Sequence, residues 1–205
     1  MDSRGLCATI EVMNIRARIL NPVVAALAGF LLVVPVTTTV TASETGPDET
    51  TAQLLAELQK PDQEGWQRLE RQITRAWSRS GSASADLLLQ RGRAAMRDGQ
   101  TEAALEHFTA VIDHAPEFAE GYHSRATAWF MDGKLGRAME DLRMALAYNP
   151  NHFSALAGLG RIFEDIQDYE RARAAYRAAT AIHPHRADVN TALERLDRRL
   201  DGTAL

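Results

Sequence analysis

Apolar side chains between residues 85 and 186 recur at helical spacing, in short runs separated by polar and turn-forming residues. Leu88, Gly92 and Ala95 lie at i, i+4 and i+7, which places them on one face of a helix. Gly99 ends this helix, because glycine tolerates the left-handed conformation common at helix ends. A second run with the same spacing comprises Ala104, Phe108 and Val111. The two runs together predict a helical hairpin.

The hairpin pattern repeats with a period of 34 residues. Pro116, Pro150 and Pro184 mark this period, and each ends a second helix because proline removes a donor and disfavours helix at the preceding residue. Small residues in shared columns let helices approach, and large residues fill the adjacent holes. The columns are Gly92, Ala126 and Gly160; Leu88, Tyr122 and Leu156; Ala95, Trp129 and Phe163; Ala104, Ala138 and Ala172; and Phe108, Leu142 and Tyr176.

These columns resemble the tetratricopeptide repeat family. In the first helix, the family pattern has a large residue, a small residue four positions later and a bulky residue three positions after that. In the second helix it has alanine, a large residue and alanine, and a proline follows. The second and third units supply these residues, and the first departs at Ala95. The resemblance implies an all-α tetratricopeptide-repeat solenoid of three helix-turn-helix repeats, at residues 85–118, 119–152 and 153–186. Three must stack, because one hairpin cannot bury its apolar face alone.

Further helices are predicted on both sides of the repeats. Residues 50–84 predict an N-terminal helical hairpin that caps the first repeat; the alternative is a segment that docks elsewhere or lies in the groove. Its apolar residues are Leu54, Leu55, Leu58, Trp66, Leu69, Ile73 and Trp77. Residues 187–205 predict a C-terminal capping helix and tail. Its apolar stripe is Val189, Leu193, Leu196 and Leu200.

The first 42 residues predict a signal peptide. The apolar run from Val23 to Val36 follows two arginines, has the length of a secretory core and is short for a bilayer span. We place cleavage after Ala42 and a linker over residues 43–49. The alternative is an uncleaved anchor over residues 19–40. Translation from Met13 would give a more typical signal-peptide start. The protein is therefore expected to be exported, and periplasmic in a Gram-negative bacterium.

Composition excludes several functional classes. The chain has 205 residues, 45% of them hydrophobic and 24% charged, which excludes a wholly disordered protein. The formal net charge is −4 and basic residues alternate with acidic ones, so nucleic-acid binding is not expected. We find no phosphate-binding loop or catalytic motif, and predict neither an enzyme nor a cofactor. His183 and His185 alone do not complete a metal site, so no metal is predicted.

The resemblance also implies a peptide-binding groove on the concave face, formed by the first helix of each repeat. The family's ligand-contacting columns fall on Arg93, Met96, Arg97, His123, Thr127, Phe130, Met131, Arg161 and Arg195. The lysine and asparagine clamp that some members use for a chaperone carboxylate is absent, although Arg93 and Arg161 suit a carboxylate chemically. The alternative is that these charges form an ordinary solvated surface.

The sequence is consistent with two functions. The first is a non-enzymatic, exported adaptor or scaffold that binds a protein or peptide segment in the concave groove. The second is a self-associating or structural subunit of a cell-envelope complex, which binds through Trp66 and Trp77 of the N-terminal hairpin. Membrane contact is expected only through the N-terminal segment, if it is not cleaved.

Overall fold

The computed structural model describes residues 47–202, with side chains from residue 50 onward, and this part of the chain is helical. The helices are α1 (Pro47–Leu58), α2 (Trp66–Trp77), α3 (Ala83–Arg97), α4 (Thr101–His114), α5 (Ala119–Met131), α6 (Leu135–Tyr148), α7 (Phe153–Asp165), α8 (Tyr169–Ile182) and α9 (Ala187–Gly202). Within these residues no helix is long and apolar enough to cross a membrane. The predicted signal peptide, its cleavage site and the anchor over residues 19–40 lie outside them.

Helices α3 to α8 form three stacked pairs. The packed pairs are α3 with α4, α5 with α6, and α7 with α8; α4 contacts α5, α6 contacts α7, and α9 covers α8. The all-α solenoid with a terminal helix is therefore confirmed. Gly99 and Gly133 adopt positive φ angles of 72° and 71° in the turns inside the first two pairs, as helix-ending glycines do.

The small-residue column has a direct steric cause. A Cβ atom on Gly160 would lie 2.6 Å from the ring of Tyr176, and one on Gly92 would overlap the ring of Phe108. In the middle pair the facing residue is the smaller Leu142, and Ala126 fits against it in the same buried cluster. Two columns thus vary together: an aromatic ring on the second helix requires glycine on the first.

Trp129 and Phe163 pack against the cores of their own repeats but are only partly buried. Each ring is covered on its outer face by an arginine. The guanidinium of Arg137 lies 4.7 Å from the centre of the Trp129 ring, and that of Arg171 lies 4.9 Å from the Phe163 ring. These rings therefore combine core packing with a cation–π contact at the surface.

Helix α1 begins at Pro47, inside the segment predicted as a linker over residues 43–49. The predicted linker therefore overlaps the helix by three residues, 47–49. Proline is favoured at the first helical position because its missing N–H would have no partner there.

The N-terminal hairpin does not cap the first repeat as predicted, and its contacts match the alternative that it docks elsewhere. We name α1 and α2 together the strap, because they pack across two later repeat junctions instead. Trp77 contacts His152 and Phe153 at the start of α7, with ring centres 4.9 and 5.1 Å apart. Trp66 contacts His183 and His185 between α8 and α9, at 5.4 and 5.9 Å. We name these four contacted residues the junction edge.

Apolar burial explains where the strap docks. Leu55, Leu58, Leu69 and Ile73 form a buried cluster with Phe153, and Ile182 packs against it. The strap therefore docks where Phe153 and Ile182 allow it to bury its apolar side chains.

Candidate functional site

The concave face holds a cavity of about 450 Å³ between α5, α7 and α9. Its floor consists of small or branched apolar residues that recur at helical spacing. They are Ala126, Ala157, Gly158, Ile162, Val189 and Ala192. Small floor residues leave room for side chains of a bound segment, and one of them, Ala126, belongs to the small-residue column of the repeat. The rim of the cavity is polar.

Five of the nine predicted groove residues line this cavity: His123, Thr127, Phe130, Arg161 and Arg195. Thr127 donates its hydroxyl hydrogen to the carbonyl oxygen of His123, at 3.0 Å. Phe130 lies at the C-terminal end of α5 and is half-buried against the middle core. The structure therefore brings together the predicted residues of the second and third repeats and of the terminal helix, with the exception of Met131.

The other four predicted residues lie outside the cavity. Met96 packs against the core of the first repeat, and Arg97 is exposed at the end of α3. Met131 has 63% of its surface exposed but does not line the cavity. Arg93 pairs with Glu120 and donates to the Ser78 hydroxyl at the end of the strap, 3.1 Å away. The groove site therefore contains fewer arginines than predicted.

The arginines of the groove are each paired with an acid. Arg195 contacts Glu164 at 2.6 Å, Arg161 lies 3.4 Å from Asp165, and Arg186 pairs with Asp188. Glu164 also accepts a hydrogen bond of 2.9 Å from the Tyr176 hydroxyl. These pairs leave the groove electrically mixed rather than strongly cationic.

Tyr176 acts as a neutral donor at the base of the groove. Burial raises the pKa of its hydroxyl, and the hydrogen bond and negative charge of Glu164 raise it further. The hydroxyl therefore stays protonated at physiological pH and holds Glu164 in place. The hydrogen bond from Arg195 to the same carboxylate fixes it from the other side and raises the pKa of Arg195.

A buried charge network lies behind the groove. Glu120 contacts Arg93, lies 3.0 Å from the Nε2 atom of His152, and lies 3.5 Å from the Nδ1 atom of His123. Burial opposes ionisation of Glu120, but the charge and hydrogen bond of His123, with the hydrogen bond from His152, hold its pKa well below its usual range. Glu120 is therefore a buried carboxylate that connects α3, α5 and α7.

The ligand atoms of Glu120, His123 and His152 lie within 4.8 Å of one another, which raises the question of a metal ion. The hydrogen-bond directions favour a network without a metal ion. The backbone N–H of Ala155 donates to Nδ1 of His152 at 3.2 Å, so the proton of the neutral ring is on Nε2 and points at Glu120. Histidine ligands instead bind through one nitrogen and donate from the other. These residues suit a hydrogen-bond network, and the absence of a metal site stays a prediction.

The network was only partly visible in the sequence. The family columns placed His123 on the concave face, but nothing in the spacing indicated that Glu120 is a buried carboxylate beside it. Its partner His152 lies at a repeat junction, 32 positions further along. The signal that could have found the pair is the 34-residue period itself, which brings each junction beside the start of the preceding first helix.

Comparison with known proteins agrees with this architecture. Two sequence models of the tetratricopeptide repeat family match residues 130–196 and residues 89–147. A TPR repeat-containing protein of Rhizobium etli is 27% identical over 161 residues, which cover 78% of this chain and 79% of that protein. A heat-shock protein cognate co-chaperone of Aspergillus fumigatus is 30% identical over 92 residues, 45% of this chain and 27% of its own length.

Among solved structures, the first TPR domain of Spaghetti (RPAP3), bound to the HSP90 peptide SRMEEVD, superimposes with a TM-score of 0.56. It is 23% identical and the match covers 58% of this chain and 95% of that domain, which shows a shared fold. The chain belongs to the tetratricopeptide repeat family. It is a protein–protein interaction module built from helical repeats. That it is not an enzyme stays a prediction.

Proposed function

We propose that this chain is an exported adaptor that binds an extended segment of a partner protein in the concave groove. The observation that carries the proposal is the cavity of about 450 Å³, which has a floor of small apolar residues and a rim of paired charges. A preformed groove of this size suits several consecutive side chains of an extended segment. The TPR domain of RPAP3 holds a peptide, which adds support by analogy of fold.

The groove chemistry favours an internal, partly apolar segment over an acidic chain terminus. The two columns that supply the family's carboxylate clamp in the first repeat hold Leu89, which is buried, and Arg93, which is neutralised by Glu120. Arg161 and Arg195 each already contact an acid. A ligand of mixed charge would exchange partners within these pairs, whereas a strongly acidic one would meet Glu164 and Asp188.

The test uses a peptide selected from a random library against the purified chain. In the variant Phe130→Ala/Arg161→Ala/Arg195→Ala we expect the Kd to rise roughly tenfold or more, because anchors at the centre of a site carry most of the affinity. The matched control is Ile166→Ala/Arg143→Ala/Arg198→Ala, which removes similar residue types outside the cavity. Fluorescence anisotropy measures both. Equal loss in the two variants, or none in the first, would contradict the proposal.

Export is the second half of the proposal and rests on the apolar run from Val23 to Val36. A fusion of residues 1–50 to alkaline phosphatase, which is active only outside the cytoplasm, tests it. We expect activity, and a mature N-terminus just after Ala42. A fusion that stays in the membrane fraction would support the anchor over residues 19–40, and an inactive fusion would contradict export.

The alternative of self-association through the strap has less support. Trp66 and Trp77, which would carry that contact, are both packed against the junction edge within the same chain. A self-associating chain would first have to release them.

A further inference from the structure

The contact between the strap and the junction edge is rich in histidine. Four of the six histidines in the chain lie at or directly behind this contact: His123, His152, His183 and His185. His185 lies with its Nε2 atom 3.0 Å from the carbonyl oxygen of Leu58 at the end of α1. A buried contact that contains histidine changes its free energy when the imidazole gains a proton.

Of these four histidines, His183 is the most deeply buried. Its side chain is fully buried, and neither ring nitrogen has a hydrogen-bond partner among the described residues. Trp66 of the strap and Phe153 of α7 present it with edge-on rings at 5.4 and 4.9 Å. An imidazolium here would carry two N–H donors with no acceptor within hydrogen-bond distance, which is costly in an apolar site.

The charged groups around His183 come from both sides of the contact. Glu70 of α2 lies 3.7 Å from its Nε2 atom, and this carboxylate favours the imidazolium. Burial opposes protonation most strongly, Arg186 and His185 oppose it further, and Asp188 favours it. The balance lowers the pKa of His183 to about 4. The docked strap therefore holds His183 neutral through a pH range in which a solvated histidine is protonated.

We propose that the strap is an acid-released element: protonation of His183 drives α1 and α2 off the junction edge while the repeats stay folded. The inference does not rest on the groove binding a peptide, because none of the junction-edge residues lines the groove cavity. Release uncovers Phe153 and Ile182 together with the apolar side of the strap. The repeats keep their own buried clusters, which share no buried residue with the strap cluster.

The sign of the pH dependence follows from the lowered pKa. A histidine that is neutral when docked and ordinary when released takes up a proton on release, so acid favours release. For a shift from 6.5 to about 4, the docking equilibrium moves roughly 30-fold toward release between pH 7.5 and pH 5.0. Glu120, whose pKa is low, stays ionised over that interval.

Hydrogen exchange followed by NMR on the full chain tests the proposal. The probe is the protection factor of the α2 amides, corrected for the intrinsic pH dependence of exchange. Helices as short as α1 and α2 do not persist alone in water, so these amides exchange on release. We expect their protection to fall roughly 30-fold from pH 7.5 to pH 5.0. The protection of α5 and α7 amides should stay constant. A parallel fall in α5 and α7 would overturn the proposal.

Three variants assign the effect to His183. His183→Phe fills the site without a titrating group, and we expect α2 protection to lose most of its pH dependence. The remainder comes from His152, which contacts Trp77 and whose pKa burial also lowers. His114→Ala changes an exposed histidine and should behave as wild type. Glu70→Gln removes the carboxylate that favours the imidazolium, so its fall over this pH range should be no smaller than that of the wild type. If His183→Phe keeps the wild-type fall, or if Glu70→Gln reduces it, His183 is not the switch.

Discussion

The concave groove and the junction edge belong to one helical stack but differ in polarity. The groove carries solvated ion pairs, whereas the junction edge is buried and largely apolar. In the groove, guanidinium and carboxylate groups pair at the rim, where Arg161 and Arg195 keep most of their side chains in water. At the junction edge Phe153 and His183 are buried against Trp77 and Trp66 of the strap. Ion pairs in water contribute little stability, whereas buried rings contribute several kcal/mol.

Because of this difference, we assign ligand binding to the groove and a contribution to folding stability to the junction edge. The chain fills the junction edge with its own strap and leaves the groove open. We therefore expect substitutions at the edge to lower the free energy of unfolding, and substitutions in the groove to change ligand affinity alone. Three substitutions test this separation, in decreasing order of expected effect.

The substitution Trp77→Ala is expected to have the largest effect. It removes the ring that packs on His152 and Phe153, and we expect a loss of about 3 kcal/mol in strap docking. Urea denaturation and hydrogen exchange of α1 and α2 measure it. The groove control is Thr127→Ala, which removes an exposed hydroxyl and should change stability by less than about 0.5 kcal/mol. Comparable losses in the two variants would remove the distinction between the faces.

The substitution Glu120→Gln tests the network that lies between the faces. It leaves Arg93 and His152 without their carboxylate, and we expect a loss of about 2 kcal/mol, moderated because Arg93 is partly solvated. Because the pKa of Glu120 is lowered in the folded protein, its contribution is present above the unfolded value near 4.5 and declines as pH falls below it. Urea denaturation at pH 7 and pH 3.5 should show the wild-type advantage shrinking in acid. A constant difference would mean that charge is not the cause.

The substitution Gly160→Ala disturbs the core that both faces share. Its Cβ would lie 2.6 Å from the Tyr176 ring, so overpacking should outweigh the better helix propensity of alanine by about 1 kcal/mol. The second variant, Gly160→Ala/Tyr176→Leu, reproduces the Ala126 and Leu142 pairing of the middle repeat. Thermal denaturation should show the double variant recovering part of the loss that Gly160→Ala causes. A double variant less stable than the sum of the single changes would contradict the steric explanation.

The parts of the fold that follow a period were predictable. The proline spacing and the small and large columns predicted the three helical pairs, because each position repeats the same local contact. The terminal helix followed from the apolar stripe that includes Val189 and Leu196, both of which are buried. His123 and Arg161 occupy family columns and line the cavity, whereas Met131 occupies such a column and does not line it.

The sequence predicted the two helices of the strap but not the surface on which they dock. Trp66, Leu69, Ile73 and Trp77 indicate an amphipathic helix, yet an apolar face does not say which surface it covers. That surface includes His183, which is far away in the sequence. Arg93 was predicted to be a free cation in the groove, but it pairs with Glu120. This pair was not predictable from the column of Arg93, because the carboxylate comes from the next repeat.

The bond between His185 and Leu58 joins positions 127 residues apart. In a plain stack of repeats each unit contacts only its neighbours, so folding can spread along the chain and the end units can fray independently. The strap ties the start of the described chain to its last junction. This long-range closure should slow folding, because a large loop must close before its contacts form. While the strap is docked, it should also keep the third repeat and the terminal helix from fraying on their own.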